Sequence, residues 1–428
     1  MNIKLVKKSI GLPIILLADA GNILTIKITE YLRYYDCIEG VMTLLYREFG
    51  KTGKKVSILG FGCMRLPTIG GRPENIDKPL AGKMMTYAIE NGVNYVDTAY
   101  PYHAASPKVG GASETFLGEF LSEGLRDEVK LATKLPIWLV EEKGDMDRIL
   151  DEQLKRLQTD RIDFYLLHGL HRRFWPMLQE YDIFEFLDRA VEDGRIGYAG
   201  FSFHDELDFF IEAVDSYKWS FCQIQYNYMD QDFQAGRKGL EYAAKRGLGT
   251  AIMEPLRGGC LTRNIPEDIQ ALWDRAKTRK SLAEWALRFL WDHEDVNLVL
   301  SGMNSMDDVV ENVEIAERGI PGSLTEDERN LIDDVREAYR SRVHVGCTGC
   351  NYCMPCPEGV NIPLNLSLLD DVYIYENLDK PSGNYFHLMG RKMSAGYCTE
   401  CGECEKNCTQ NLPIRKYLKE TRETFEKK

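Results

Sequence analysis

The clearest pattern along the chain is an alternation of short apolar runs with amphipathic stretches between about residues 56 and 312. Apolar runs of this kind, buried on both faces, are typical of parallel strands, and each is followed by a stretch with helical periodicity. The eight runs are 56–61, 95–99, 129–133, 163–167, 197–201, 222–225, 249–253 and 297–300. The clearest amphipathic stretches are 145–157, 181–192, 205–214 and 281–291. Eight such repeats predict an α/β fold, a (β/α)₈ TIM barrel.

A different pattern follows the barrel. Residues 324–342 predict one more helix, with Thr325 as its N-cap. Residues 364–389 are rich in leucine and tyrosine, enough apolar material to pack a small domain or to dock it on the barrel. The tail after Pro413 is charged and is expected to be frayed or helical.

The C-terminal region is rich in cysteine. Eight of the twelve cysteines form two dense runs: Cys347, Cys350, Cys353 and Cys356, then Cys398, Cys401, Cys404 and Cys408. A cysteine at every third position is the bacterial ferredoxin rhythm, so we predict two [4Fe–4S] clusters in a small α-rich domain. Structural zinc and a disulfide framework are the alternatives. Zinc sites usually use two separated pairs of ligands, and disulfide frameworks belong to small secreted domains.

In two-cluster ferredoxins the fourth cysteine of each run binds the other cluster. By that rule Cys356 joins the cluster of the second run, and Cys408 joins the cluster of the first. Two departures leave this crossed ligation open. The first run has two residues, not three, before its fourth cysteine, and Thr409 stands where proline is expected.

The N-terminus has two interpretations. Lysines precede an apolar run at 10–17 and the segment Ala18-Asp19-Ala20, which resembles a secretory signal. The run is short and contains Pro13, so we favour residues 1–41 as a leader or non-native extension. The predicted domains are then 42–323 for the barrel, 324–342 for the linking helix and 343–428 for the dicluster domain.

Composition narrows the partners. The 428-residue chain has a formal net charge of −13, which argues against nucleic acid or an anionic membrane as the main partner. No stretch has the length of a transmembrane helix. Iron–sulfur clusters also need a compartment in which they survive, so we expect a cytoplasmic protein.

Candidate chemistry lies where the predicted strands end, since barrel enzymes work at the C-terminal face. The strand ends carry Asp97, Lys134 and His168, and Tyr102 follows Asp97 by five residues. At this point the chain resembles the aldo-keto reductases, and its tail resembles the iron–sulfur branch of that family. The segments that carry the resemblance are FGKTG (49–53), GFG (60–62), DTAYPY (97–102), ASETFLG (112–118), LATK (131–134), DFYLLH (163–168) and CMPCP (353–357).

The resemblance implies an oxidoreductase that interconverts an aldehyde or ketone and an alcohol with NADPH or NADH. Physical chemistry agrees with the four residues. A tyrosine hydroxyl is a sluggish acid at neutral pH, and a lysine cation beside it is expected to lower its pKa. We therefore predict Tyr102 as proton donor, Lys134 and Asp97 as the pair that tunes it, and His168 as the group that orients the carbonyl. Tyr100 is the competing tyrosine, with the wrong spacing.

The same resemblance implies the nucleotide-binding positions. Ser202 and Gln223 match the residues that hold the carboxamide, and Met253 stands where many relatives stack an aromatic ring. The remaining positions match the pyrophosphate loop and the adenosine grip: Pro255, Leu256, Gly258, Ser301, Gly302, Asn304, Asp308, Glu311 and Asn312. Asp308 stands where NADP-preferring relatives often have arginine, which favours NADH, although Arg257 or a residue from elsewhere could compensate.

Three questions stay open from the sequence. The loop 171–177 combines cations with aromatics and fits either a substrate pocket or a docking surface for the cluster domain, and Trp138 invites the same pair of interpretations. The clusters could pass electrons to a redox partner protein, sense redox state or staple the tail. The alternative functions are an electron-transfer or redox-sensing protein whose barrel binds nicotinamide with little turnover, and a binding or regulatory subunit.

Overall fold

Eight parallel strands close into a barrel in the computed structural model. The structure describes residues 44–104, 109–347, 349, 352–408 and 410–426, and three short antiparallel strands, Lys4–Val6, Ile14–Asp19 and Asn22–Lys27, before them. The barrel strands are β1 Leu59–Gly62, β2 Tyr95–Asp97, β3 Lys130–Leu135, β4 Ile162–Leu170, β5 Ile196–Phe203, β6 Phe221–Gln225, β7 Gly249–Met253 and β8 Leu298–Ser301. Each strand pairs with its neighbours in sequence, and β8 closes on β1, as predicted for a TIM barrel.

Helices surround the barrel. They are α1 Lys78–Glu90, α2 Ala112–Leu121, α3 Gly144–Arg156, α4 Trp175–Glu180, α5 Ile183–Glu192, α6 Leu207–Asp215, α7 Gly236–Arg246, α8 Glu267–Trp273, α9 Leu282–Trp291 and α10 Met306–Ala316. Their buried faces pack on the outer side of the strands in one apolar core, except that α8 and part of α9 belong to a second core.

The first predicted strand is divided in two. Residues Lys55–Ser57 pair antiparallel with Tyr46–Glu48, and β1 begins only at Leu59. Ser57 makes the break, because its hydroxyl donates to the Leu59 carbonyl at 2.7 Å and its amide donates to the Asn94 side chain at 2.8 Å. The apolar run 56–61 is therefore shared between two sheets, the small antiparallel one and the barrel.

This small hairpin fills the N-terminal end of the barrel. Phe49 is fully buried, with its ring 5.2 Å from that of Phe164 and 5.4 Å from that of Phe221. Gly50 permits the approach, since it has φ +54° and a Cβ there would lie 2.2 Å from the Gly249 nitrogen. The apolar N-terminal end leaves the C-terminal end for chemistry.

The region after the barrel is helical. Helix α11, Glu326–Arg340, begins at a capping box formed by Thr325 and Glu328, which confirms the predicted cap. The helices that follow are α12 Ile362–Tyr375, α13 Asp379–Gly390, α14 Glu403–Lys406 and α15 Ile414–Glu426. The charged tail is thus helical, and its apolar face packs in a separate core with α12 and α13.

No helix in the described parts of the chain is long and apolar enough to cross a membrane. The interpretation of residues 1–41 as a leader or non-native extension, and the domain boundaries drawn from the sequence, stay predictions.

Candidate active site and cluster-binding site

The four predicted catalytic side chains meet at the C-terminal end of the barrel. Asp97 ends β2, Lys134 lies in β3, His168 lies in β4, and Tyr102 follows in the turn after β2. The Lys134 ammonium donates to both carboxylate oxygens of Asp97, at 2.7 and 2.6 Å, and to the Thr98 carbonyl at 2.8 Å. Its nitrogen lies 3.4 Å from the Tyr102 hydroxyl. Adjacent parallel strands therefore place the tyrosine against an ion pair.

This ion pair is fully enclosed by protein. Burial raises the pKa of Asp97 and lowers the pKa of Lys134, while the contact between the two charges opposes both shifts. Bidentate geometry and the extra bond to Thr98 keep the pair charged in spite of its burial.

Tyr102 has a pKa well above its usual value, because burial disfavours the phenolate and Asp97 repels it. The sequence predicted the opposite direction, a pKa lowered by Lys134. The difference arises because burial of the hydroxyl is the largest effect on its pKa, and the nearby Asp97 carboxylate raises it further. The phenol is therefore a protonated donor throughout the neutral range.

His168 stands across from the tyrosine, with ring centroids 6.1 Å apart. Burial, Lys134 and His204 lower the pKa of His168 well below its usual value, so the ring is neutral at pH 7. Its Nδ1 atom is buried and has no hydrogen-bond partner among the described residues. Trp138 lies beside it at 5.0 Å between ring centroids, which places Trp138 next to the candidate catalytic groups.

A cavity of about 490 Å³ opens on these groups and on every nucleotide-binding position predicted from the sequence. Asp97, Tyr102 and His168 lie in its wall, and Lys134 lies behind them. The predicted nucleotide residues in the wall are Ser202, Gln223, Met253, Pro255, Leu256, Gly258, Ser301, Gly302, Asn304, Asp308, Glu311 and Asn312. Residues distant in sequence thus enclose one space large enough for an extended ligand.

Part of this wall fits a nicotinamide carboxamide. The buried Gln223 Oε1 atom has no hydrogen-bond partner in the described parts of the chain, while Gln223 Nε2 donates to the Met253 sulfur at 3.4 Å. The Ser202 hydroxyl lies close by in the wall and accepts from the Gly169 amide at 2.8 Å. An orphaned acceptor beside a hydroxyl matches an amide ligand, which both donates and accepts.

The far end of the cavity carries the start of α10. Asp308 accepts there from the Asn304 amide at 3.2 Å, and Arg263 lies 4.0 Å from the same carboxylate. Arg257, proposed from the sequence as the compensating cation, is engaged elsewhere, with Asp230 at 3.2 Å and Asp371 at 3.1 Å. Arg263 is therefore the cation that stands beside Asp308.

Sequence reasoning missed several wall residues: Met64, Arg65, His204, Glu254, Thr262 and Arg263. A usable signal existed for three of them. Arg65 follows β1 by three residues, His204 directly follows β5 and Glu254 directly follows β7, so a complete reading of the strand ends would have found them.

The contacts of the loop after β4 are with other residues of the barrel. Trp175 is buried against Phe184 and Phe209, and Arg172 pairs with Asp208 at 2.8 Å. Residues 171–177 do not contribute to the wall of the cavity. Tyr100, the competing tyrosine, is not part of the cavity wall either. Its ring centroid lies 5.1 Å from the guanidinium carbon of Arg156.

A second cavity, of about 290 Å³, joins the two cysteine runs. Cys398, Cys401 and Cys404 line it together with Cys353 and Cys356 of the first run. Cys356 beside the second run matches the predicted crossed ligation, whereas Cys353, which the same rule assigns to the other cluster, lines this cavity as well. The crossed ligation stays a prediction. Among the described residues no group of three or more His, Cys, Asp or Glu side chains is arranged to hold a single metal ion, whereas these cysteines surround a larger space.

Backbone amides also donate to cysteine sulfurs, as is common at iron–sulfur sites. The Glu400 amide donates to the Cys398 sulfur and the Leu412 amide donates to the Cys408 sulfur, each at 3.4 Å. Such bonds to cysteine sulfur are a feature of iron–sulfur sites and tune their potentials. Cys347, Cys353 and Cys408 pack on the same apolar core, and Cys350 lies outside the described residues.

Comparison with known proteins gives two family matches. Residues 58–337 match the aldo/keto reductase family, and residues 346–412 match the 4Fe-4S dicluster domain. The chain is similar to the 6-dehydroglucose reductase of Novosphingobium aromaticivorans, with 31% identity over 50% of this chain and 70% of that protein. It is also similar to the L-galactose dehydrogenase of Arabidopsis thaliana, with 26% identity over 62% of this chain and 86% of that protein.

A solved structure shares the barrel. The holo form of the aldo-keto reductase AKR11C1 from Bacillus halodurans superposes with a TM-score of 0.56 and 28% identity, covering 68% of this chain and 96% of that one. The dicluster match covers residues 346–412, which follow the barrel strands.

Proposed function

The chain belongs to the aldo/keto reductase family and is an oxidoreductase with a C-terminal 4Fe-4S dicluster domain; from that premise we propose that its barrel interconverts a small aldehyde or ketone and an alcohol. One observation carries the proposal. The Tyr102 hydroxyl lies 3.4 Å from the ammonium of Lys134, which is buried in an ion pair with Asp97. Tyr102 lines a cavity whose wall also contains the neutral His168 and the Gln223 side chain, whose Oε1 atom has no hydrogen-bond partner among the described residues.

The residues divide the work of carbonyl reduction. A bound nicotinamide supplies the hydride that the carbonyl carbon accepts. Tyr102 donates its proton to the carbonyl oxygen, and the Lys134 ammonium stabilises the phenolate that remains. Asp97 holds that ammonium in place through two hydrogen bonds. Neutral His168 donates to the carbonyl oxygen and orients it, and the reverse steps oxidise the alcohol.

The nucleotide is NADH or NADPH, and two groups at the adenosine end decide between them. Asp308 disfavours the 2′-phosphate of NADPH by charge repulsion, and Arg263 beside it favours that phosphate. Since Asp308 already accepts from the Asn304 amide and lines the cavity, we propose a preference for NADH. Comparing the dissociation constants of the two nucleotides tests this directly.

We propose that the dicluster domain holds two [4Fe–4S] clusters and exchanges single electrons with a redox partner protein in the cytoplasm. The cysteines of the two runs would supply eight thiolates, crossed as described above. We keep the division into barrel, linking helix and dicluster domain as part of the same proposal.

Replacing Tyr102 by Phe tests the catalytic assignment. We expect carbonyl reduction to fall by about 10²–10⁴-fold, because the proton donor is removed while the cavity keeps its shape. Nucleotide affinity should stay within about threefold of wild type, since little binding energy is assigned to the hydroxyl. The two named relatives act on sugars, so the substrate panel begins with sugar aldehydes and ketones.

Tyr100→Phe is the matched control, because that tyrosine lies two residues away against Arg156. Its activity should equal that of wild type. Unchanged reduction by the Tyr102 variant contradicts the assignment. A wild-type protein that binds nicotinamide and reduces no member of the panel points instead to an electron-transfer or sensing role.

A further inference from the structure

The loop after β7 lies between the nucleotide cavity and the dicluster domain. Its residues Glu254, Pro255, Leu256 and Gly258 line the cavity. On its other side it contacts α12 and α13, the two central helices of the dicluster domain. The same short segment therefore belongs to both parts of the molecule.

Two side chains of this loop bind the dicluster domain by ion pairs. Glu254 accepts from Lys380 of α13 at 2.5 Å. Arg257 donates to Asp371 of α12 at 3.1 Å and lies 4.8 Å from the ring centroid of Tyr375. These four charged side chains are at most 27% exposed, so water screens the pairs only weakly.

The charge state of Glu254 agrees with these contacts. Burial by itself would raise the pKa of this carboxyl group, and the cations of Lys380 and Arg65 more than offset that effect, so the pKa is lowered. Arg65, from the loop after β1, lies 3.6 Å from the same carboxylate and also lines the cavity. Glu254 is thus a charged link between the cavity wall and α13.

The backbone of the loop is strained at the same two residues. Glu254 has φ +57° and Arg257 has φ +48°, the left-handed region that side chains with a Cβ rarely adopt. Conformations of this kind persist where surrounding contacts over-determine them. Here the residues in the unfavourable conformation are those whose side chains are held by the dicluster domain.

The side chain of Lys380 also passes close to Gly258 of the loop. A Cβ at Gly258 would lie 2.7 Å from the Lys380 side chain, and Gly258 itself has φ +67°. The absence of a side chain at 258 thus gives room for the aliphatic part of Lys380. Lys380 of the dicluster domain therefore packs on the side of the loop that is opposite the cavity.

We propose that the dicluster domain is a structural part of the nucleotide site: Lys380 and Asp371 hold the loop 254–259 in the conformation that binds the dinucleotide. This inference rests on the proposed nicotinamide function and deepens it. Lys380 and Asp371 are positioning residues, because they act through Glu254 and Arg257. Reciprocity requires that nucleotide binding also stabilise the docking of α13.

Lys380→Met tests the proposal, because methionine keeps an apolar stem against Gly258 and removes the charge. With the full protein purified anaerobically, NADH and NADPH are titrated by fluorescence and hydrogen exchange is followed in peptides covering 254–259. We expect a dissociation constant about tenfold higher, equivalent to about 1.4 kcal/mol, and faster exchange in the loop. Asp371→Asn should shift both readouts in the same direction by releasing Arg257 from α12.

Two controls separate this effect from general damage. Lys380→Arg restores the charge and should bind within about threefold of wild type, whereas Lys419→Met removes an exposed lysine of the same domain and should change nothing. Iron and sulfide content should equal that of wild type in each variant, and if Lys380→Met loses iron, Asp371→Asn decides the question.

Nucleotide affinity and loop exchange at wild-type levels in both the Lys380→Met and the Asp371→Asn proteins overturn the inference. An arginine variant as weak as the methionine variant overturns the role of the charge. A wild-type protein that binds neither NADH nor NADPH fails the proposed function instead, so the two failures are distinguishable. In the wild type, added nucleotide should slow exchange in α13, and unchanged exchange there contradicts the coupling.

Discussion

At the scale of single residues, geometry decides what each charged group does. Lys134 has three acceptors at 2.6–2.8 Å and reaches Tyr102 only at 3.4 Å. Its main effect is therefore to balance Asp97 and to stand ready for a phenolate, while Tyr102 keeps its proton. The sequence predicted these partners correctly, but the direction of the tyrosine pKa depends on distances that a motif does not contain.

His168 makes the stability of the protein depend on pH. The pKa of His168 in the folded protein lies well below its value in the unfolded chain. Below about pH 6.5 the imidazole is therefore protonated in the unfolded chain but stays neutral in the folded protein. Stability is therefore lost as the pH falls below about 6.5 and is unaffected above it. We expect this residue alone to cost up to about 1.4 kcal/mol per pH unit in that range.

The measurement compares urea unfolding of wild type and His168→Gln at pH 7.5 and 5.5. Stability should fall less for the variant than for wild type between the two pH values. His171→Gln, at a partly exposed histidine that pairs with Asp205, is the control. Equal losses in wild type and His168→Gln would refute the assignment of a neutral buried imidazole.

At the scale of elements, side chains of the segment 112–118 form hydrogen bonds that hold neighbouring helices and strands together. Glu114 of α2 is fully buried and accepts from Thr133 and Gln153, each at 2.7 Å, and from Arg156 at 2.8 Å. The neighbouring Ser113 hydroxyl lies 2.8 Å from that of Thr98. These bonds fix α2 and α3 against β3, next to Lys134, so this part of the motif supports the site from behind.

Glu114→Gln should therefore destabilise the fold. The amide cannot satisfy the half-buried Arg156 guanidinium as the carboxylate does, and we expect a loss of about 2–3 kcal/mol in the free energy of unfolding. Glu119→Gln, on the same helix but in an exposed pair with Lys78, should cost no more than about 0.5 kcal/mol. Urea denaturation of both proteins gives the comparison, and equal losses would show that the buried network carries no special weight.

At the scale of the whole molecule, the barrel and the dicluster region are joined by a shared apolar core and by ion pairs. The dicluster region has its own apolar core, while Tyr375 of α12 packs with Tyr339 of α11 in a core shared with the barrel. Arg257 and Lys380 complete the junction beside the cavity proposed to bind the nucleotide. The second domain is thus docked at the C-terminal face, where the chemistry is proposed.

Crossed cluster ligation can be tested by counting iron. If Cys356 and Cys401 bind the same cluster, the single variants Cys356→Ala and Cys401→Ala and their double variant should each keep about four irons, one cubane cluster. Uncrossed ligation predicts that the double variant loses both clusters. Cys222→Ala, at a buried cysteine of β6, should keep about eight irons.

The sequence alone determined the eight barrel strands and their order, apart from the break at Ser57, because apolar periodicity reports burial and strand ends report the functional face. It also assigned the four catalytic candidates, twelve positions that prove to surround one cavity, and the cysteines that line another. The residues at the strand ends share one cavity because a parallel barrel brings the C-terminal ends of its strands together whatever the intervening sequence is.

Only the tertiary structure decided how the two domains meet. Nothing in the local pattern indicates that Lys380 reaches Glu254 across 126 positions, or that Arg257 pairs with Asp371 and not with a nucleotide. Ion pairs between domains depend on how the two domains dock, and the hydrophobic periodicity of the sequence does not report that docking. The same reason explains the pKa of Tyr102, since burial and distance set it and both arise only when the chain is folded.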